Sequence, residues 1–302
     1  MRFGLFIFID KNYFILLENK MKKNSDEHTF SIEEFNKYWN SLTITNDYIF
    51  CKVFQDEELC RKMLEILLDV KIRHLKYPDA QKDLRASYLA KGIRLDVFTE
   101  DKNRVFDVEI QNAHKEDIPL RTRYYHSTMD TALLKKGNFY TDLKESYVIF
   151  LCKFDPLGKG QPIYTFQMRD KENPKTILGD KTYTILYNVT DIAKLKDGEK
   201  KDFLNYIAQG VNNSSFTNKI EKRVQEVKND EDWRVEFMTL EMVIKERERE
   251  AVKRGIQRGM QQGSHARNIE IAKQMLLKNF SQNDICDITS LSLEEVKALQ
   301  KS

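Results

Sequence analysis

Six uninterrupted apolar residues, Tyr147 to Cys152, stand near the middle of the chain between Ser146 and Lys153. A short apolar run with no alternation is the pattern of a strand buried on both faces at the centre of a sheet. The flanking segments complete that reading. Ile93–Phe98 and Val105–Gln111 alternate as strands, and Glu100-Asp-Lys-Asn103 supplies the turn between them, which predicts a β-hairpin. Pro119 at its start and Gly137 past its end bracket a helix over 120–136. Ile163–Met168 and Tyr183–Val189 read as two further strands. Upstream, Ser31-Ile-Glu-Glu34 is a capping box, and Leu59, Met63, Leu64, Leu67 and Leu68 recur at helical spacing after Asn46-Asp47. Lys71–Tyr77 reads as a short strand ended by Pro78, followed by a polar stretch up to Lys91-Gly92. The expectation is an α/β domain over 29–190.

The remainder is helical and charged. Trp233–Arg254 reads as one long helix, and Gly255, Gly259 and Gly263 after it read as a pliable hinge, since each helix-interior glycine costs about 1 kcal/mol relative to alanine. That makes 191–263 a helical extension with a glycine-repeat hinge. Residues 264–302 read as a small helical unit with Ser281 and Ser292 as N-caps, and Ile285, Ile288, Leu291, Val296 and Leu299 as its core. Its rhythm is that of a helix-turn-helix, but the last helix offers Glu294, Glu295, Lys297 and Gln300 and no arginine. Self-association into a homo-oligomer through these C-terminal helices is therefore expected, rather than base reading. Residues 1–28 read as an N-terminal extension that contains an alternative start at Met21. The apolar run Phe3–Ile9 is far shorter than the ~20 residues a bilayer needs, so no membrane partner is expected.

Charge narrows the function classes. Lys and Arg number 50 against 47 Asp and Glu, a net +3, so any nucleic-acid contact must come from a local patch. The cysteines at 51, 60, 152 and 286 form no CxxC pair, which argues against structural zinc and a disulfide framework and for reduced thiols in a cytoplasmic protein.

The residues that carry chemistry lie on the hairpin. Period-two alternation puts Arg94, Asp96 and Phe98 on one face of the first strand, and Asp107, Glu109 and Gln111 on one face of the second. The separation, 109 − 96 = 13, suits a hairpin that sets Asp96 beside Glu109. Two carboxylates in mid-strand repel each other unless a cation sits between them. Phosphodiester cleavage needs such a cation, which generates hydroxide and neutralises phosphoryl charge, and Mg²⁺ (or Mn²⁺) typically takes one or two carboxylates and keeps several waters. Gln111 points to the same face and can orient the attacking water.

Asp96 with Glu109-Ile-Gln111 resembles the active-site motif of the PD-(D/E)XK nuclease superfamily in its E-x-Q variant. The surrounding segments, Asn46-Asp-Tyr-Ile-Phe-Cys-Lys-Val-Phe54, Lys91-Gly-Ile-Arg-Leu-Asp-Val97, Arg121-Thr-Arg-Tyr-Tyr125, Gly137-Asn-Phe-Tyr140 and Tyr147 to Asp155, are similar to the Rpn recombination-promoting nucleases, also described as PD-(D/E)XK family transposases. The resemblance spans about 31–190. It implies a restriction-endonuclease-like core, a mixed central sheet flanked by helices and followed by a helical C-terminal region. It also implies a metal-dependent DNA endonuclease linked to recombination, mobile elements or defence. Asp96 and Glu109 would be metal ligands, with the main-chain carbonyl of Ile110 as a third. Gln111 stands where most superfamily members have lysine, so it brings no charge to the site; Lys52 is a candidate to supply one.

Other readings stand beside these. Asp96 and Glu109 could be solvent-facing acids on an edge hairpin. Arg94, Arg121, Arg123 and Tyr125 are candidates for gripping phosphates and stacking on DNA, or for a salt-bridged helix face. Asp47 is either an auxiliary acid or the N-cap of its helix. His114 and His126 read as ordinary helix-face or surface histidines. Two alternatives to an active endonuclease remain: a nuclease-fold DNA-binding or assembly protein with weak turnover, and an unrelated carboxylate hydrolase of phosphoesters.

Overall fold

The computed structural model describes residues 31–76, 79–84 and 93–300, with backbone alone over 79–84 and 93–95. The extension 1–28, the Lys91-Gly92 pair and the Arg94 side chain lie outside the described residues. Two compact units emerge, Met1–Val235 and Glu236–Ser302.

Among the described residues the first unit begins with three helices. Ser31 caps α1 (Ile32–Ser41) through a reciprocal pair with Glu34, at 3.1 Å from the Glu34 amide and 2.8 Å from the Ser31 amide. Asn46 caps α2 (Asp47–Phe54), accepting from the Tyr48 and Ile49 amides, so Asp47 is the first helical residue and not the cap. Helix α2 buries Tyr48, Ile49, Phe50, Cys51, Val53 and Phe54, which marks it as a central rather than a surface helix. Helix α3 (Glu57–Leu68) starts afresh at Asp56.

The strands are β1 (Asp79–Leu84), β2 (Ile93–Glu100), β3 (Arg104–Gln111), β4 (Glu145–Cys152), β5 (Ile163–Phe166) and β6 (Thr182–Asn188). They form one mixed sheet in the order β1-β2-β3-β4-β6-β5. β1–β2 and β2–β3 are antiparallel, β3–β4 and β4–β6 are parallel, and β5 closes the far edge antiparallel to β6. The hairpin is formed as expected, and Asp101 ties its turn by accepting from the Asn103 and Arg104 amides. β4 takes the central place its apolar run demands. One early strand differs from expectation. Lys71–Lys76 carries no ladder; Ile72 and Leu75 are buried as anchors of an extended connection. The first strand is instead Asp79–Leu84, whose register is set by β2 and not by hydrophobicity of its own.

Helix α4 (Ile118–Leu133) links β3 to the parallel β4 and covers one sheet face, where Val105, Val148, Phe150, Cys152 and Leu186 meet Ile118, Tyr125 and Met129. On the other face Phe106, Tyr147 and Tyr183 stack in a row, with centroids 5.4 and 4.7 Å apart, and the Tyr187 hydroxyl donates to the Leu67 carbonyl of α3. Helices α5 (Glu199–Gln209) and α6 (Ser215–Asn229) complete this unit. Trp39 of α1 donates to the Lys228 carbonyl at 3.0 Å, and Tyr48 donates to the Trp233 carbonyl at 2.9 Å.

In the second unit Ala272, Met275, Ile285, Leu291 and Val296 form a separate small core. Ser281 caps α8 (Gln282–Thr289), and Ser292 exchanges hydrogen bonds with Glu295 at the start of α9 (Leu293–Gln300), as expected. Ile288, expected in this core, is 63% exposed. The long helix α7 runs from Glu231 to Leu277 without interruption, so the hinge read at the three glycines is not a break. Their flanks are good helix formers, and a cost of about 1 kcal/mol per glycine does not end a helix that long.

Candidate active site

The register Val97↔Val108 sets Asp96 across from Glu109, but the strands do not pair there through backbone alone. The Asp96 amide donates to Glu109 Oε1 at 3.1 Å, and the Ile110 amide donates to Asp96 Oδ2 at 3.2 Å. Each carboxylate thus reaches across to the other's strand, and the acids expected to stand side by side are brought together. On the far side of Asp96, the Cys51 thiol of α2 donates to its carbonyl at 3.1 Å.

This end of β3 lies beneath α4, not on a solvent edge. Asp107, Glu109 and Gln111 share the face that α4 covers, and they are 0, 3 and 7% exposed. Arg121, in the first turns of α4, donates to Glu109 Oε2 at 3.0 Å, to Gln111 Oε1 at 2.7 Å and to the Tyr125 hydroxyl at 2.9 and 3.2 Å. Gln111 spends its amide on the Ala113 carbonyl at 3.0 Å. Asp107 was visible in the sequence as a member of this face but drew no role there. Both of its carboxylate oxygens are buried without a hydrogen-bond partner.

Electrostatics follow from that packing. Burial pushes the Glu109 carboxyl up to about 7, against the pull of Arg121 and of the Asp96 amide; the Asp47 charge raises it further and Lys115 lowers it. Burial, then the charges of Glu109 and Asp96, hold Asp107 well above the ordinary carboxylate range, while Arg121 works the other way. Burial also raises Tyr125, to about 12. The folded chain thus makes it costly to ionise these carboxyls, which is the mark of acids gathered where a ligand can answer them.

The other sequence candidates fall into place around this centre. Asp47 is close enough for its charge to act on Glu109. The loop before α2 is tied to the end of β3 by Asn112, which donates to the Thr45 carbonyl at 2.6 Å. The Lys52 ammonium lies over the rings of Tyr48 and Trp233, 5.2 and 5.6 Å from their centroids. Tyr125 is buried with its ring stacked on Phe150, so the base-stacking role expected of it is not open to it. Arg121 is turned inward to Glu109, whereas Arg123 is exposed. His114 is exposed against Phe154, and His126 is buried between the Ser146 and Thr184 hydroxyls, which makes it a packing residue of α4 and not a surface histidine. Lys115, missed in the sequence, acts on Glu109 only because the connection to α4 folds back toward the strand end.

A family model described as PD-(D/E)XK nuclease family transposase matches residues 44–258. The chain belongs to that family. Its match takes in the hairpin acids, α4 and all of the sheet from β1 to β6, and continues into α7. No curated protein and no solved structure gives a significant match.

The family generally uses divalent metals, and the donor set here fits one. Asp96 and Glu109 offer hard oxygen ligands, and beside them the Asp107 carboxyl is buried with neither oxygen hydrogen-bonded, so the chain itself leaves polar atoms here unanswered. Among the described residues no cluster of three His, Cys, Asp or Glu is arranged to hold a metal ion. Mg²⁺ does not require one, since it binds through one or two carboxylates and keeps its waters. The four cysteines form no disulfide, and three of them are buried. No helix among the described residues is long and apolar enough to cross a membrane.

Proposed function

We propose that this chain is a metal-dependent DNA endonuclease that hydrolyses phosphodiester bonds, in keeping with recombination, mobile elements or defence. The observation that carries the reading is the meeting of Asp96 with the buried Glu109 on the β2–β3 hairpin, beside the buried and unpartnered Asp107, in a member of a nuclease family. Asp96 and Glu109, with the main-chain carbonyl of Ile110, would hold Mg²⁺ or Mn²⁺. When bound, the ion lowers the pKa of water and neutralises charge on the phosphoryl oxygens. Gln111 and Arg121 order the polar atoms around the two acids. Asp47 adds negative charge from the start of α2. The exposed Arg123 and the Arg94 position on β2 are the candidates for meeting the phosphate backbone of DNA. The C-terminal helices are proposed to join copies of the chain, because Leu277, Phe280, Ile288 and Leu293 are exposed around a core that is already closed.

Nicking of supercoiled plasmid against Mg²⁺ concentration tests the reading. Wild-type protein should nick in a cation-dependent way, while Asp96→Ala and Glu109→Ala should lose activity and keep their fold. Full activity in either variant removes this site from the reaction. The second reading, an assembly protein of nuclease fold with little turnover, draws on one observation: Glu109 is already engaged by Arg121. Cation-independent DNA binding with no nicking by the wild type would favour it.

A further inference from the structure

Arg121 is held on several sides. Its guanidinium donates to Glu109, Gln111 and the Tyr125 hydroxyl, and it lies 5.4 and 5.1 Å from the ring centroids of Tyr125 and Phe150. Its side chain is 21% exposed. A planar fork with five donors, pinned by a carboxylate, an amide oxygen and a phenol over two aromatic faces, has one orientation open to it. Gln111 is uncharged, and both ends of its amide are committed: the oxygen to Arg121 and the nitrogen to the Ala113 carbonyl. Its service to the site is therefore to aim Arg121. Glu109 in turn is gripped from both sides, by Arg121 at Oε2 and by the Asp96 amide at Oε1.

We propose that Arg121 is a positioning residue of this site: its guanidinium is the built-in counter-charge of Glu109, aimed by Gln111 and Tyr125, and it holds the Glu109 carboxylate against Asp96. The proposal rests on the metal-site reading above and goes beyond it by assigning the cluster's positive charge to the chain itself. Without Arg121 the acids repel one another. A divalent cation is then drawn in more strongly, but the carboxylate it uses is no longer held in place. Because Gln111 Oε1 touches Arg121 Nη1 at 2.7 Å, a lysine at 111 would set its ammonium close to where the guanidinium now stands.

The test uses the full chain in four forms: wild type, Arg121→Gln, Arg121→Lys and the double variant Gln111→Lys with Arg121→Gln. Each is followed by metal-free thermal unfolding, Mn²⁺ titration calorimetry, and kcat and KM for plasmid nicking in Mg²⁺. Arg121→Gln should unfold at lower temperature without metal and bind Mn²⁺ more tightly. Its kcat should fall about 10–100-fold, the usual loss when a residue that orients a metal ligand is removed, with KM for DNA little changed. The double variant should recover metal-free stability and most of the turnover, and Arg121→Lys should fall between. Unchanged metal-free stability in Arg121→Gln, or weaker Mn²⁺ binding, overturns the proposal. So does a rise in KM with kcat intact, which would make Arg121 a phosphate contact. If Arg121→Gln does not fold, the double variant decides, and its failure to fold as well also overturns it. If the wild type itself does not nick, the endonuclease reading is what fails, while the unfolding and calorimetric comparisons still decide the counter-charge.

Discussion

Helix α4 carries two buried polar clusters little more than one turn apart, and they are built differently. At Arg121 the partners are carboxylates: Glu109 is pushed up to about 7 by burial, and Asp107 keeps both oxygens unpaired. At His126 the partners are neutral hydroxyls. One ring nitrogen meets Ser146 at 2.7 Å and the other meets Thr184 at 3.2 Å, and burial lowers the imidazole to about 4, so it stays uncharged. A buried cluster whose members are all satisfied fixes packing at little cost. One that leaves polar atoms unanswered destabilises the fold by itself and persists where something is to be bound. The same helix therefore serves structure at one end and chemistry at the other.

The largest effect that could break this contrast is on cleavage. Asp96→Ala should abolish cation-dependent nicking, whereas His126→Gln should leave nicking at neutral pH near wild type. Comparable losses in both, in a plasmid assay, would erase the distinction.

Next comes acid stability. Between pH 6.5 and about 4 the unfolded chain takes up a proton on His126 that the folded chain refuses, so stability falls as pH drops through that window. The full loss is about 3 kcal/mol by linkage. His126→Gln keeps hydrogen bonding without the titration, and denaturant unfolding across this range should show a flatter limb. A limb as steep as that of the wild type would place the acid sensitivity elsewhere.

The two clusters should also answer apolar substitution with opposite signs. Asp107→Val deletes an unpartnered buried carboxylate and should raise metal-free stability by about 1–3 kcal/mol, while His126→Leu orphans two hydroxyls and should lower it by a similar amount. Equal signs in thermal unfolding would refute the account of one cluster. The smallest expected change is Thr184→Val, which removes one hydrogen-bond partner from His126 and should cost about 1 kcal/mol.

What the sequence showed and what it hid divide along physical lines. The central strand, the hairpin and the meeting of Asp96 with Glu109 follow from period-two alternation and turn chemistry, which are local. The paired strand β1 was hidden because Asp-Ala-Gln-Lys-Asp-Leu has no apolar period, whereas Lys71–Lys76 has apolar anchors but no ladder. The capping of α2 by Asn46 rather than Asp47 turns on one residue of register. Asp107 could be placed on the correct face, but its isolation depends on what covers it. Arg121 was legible as a basic residue near the site; that it turns inward to Glu109 and Gln111 is a property of how α4 packs on β3, and no spacing encodes it.

The chain has two tryptophans, and neither lies on the sheet. Trp39 is 1% exposed and bonded to the end of α6, and Trp233 at the start of α7 has Lys52 and Arg223 over its ring. Intrinsic tryptophan emission is thus a gauge of one seam, where α1 and α2 meet the α6–α7 junction. The stacked Tyr147 and Tyr183 on β4 and β6 give the sheet its own near-ultraviolet signature. Two wavelengths therefore watch two parts of the same unit, and a delay between them during unfolding would reveal the seam opening before the sheet that carries the acids.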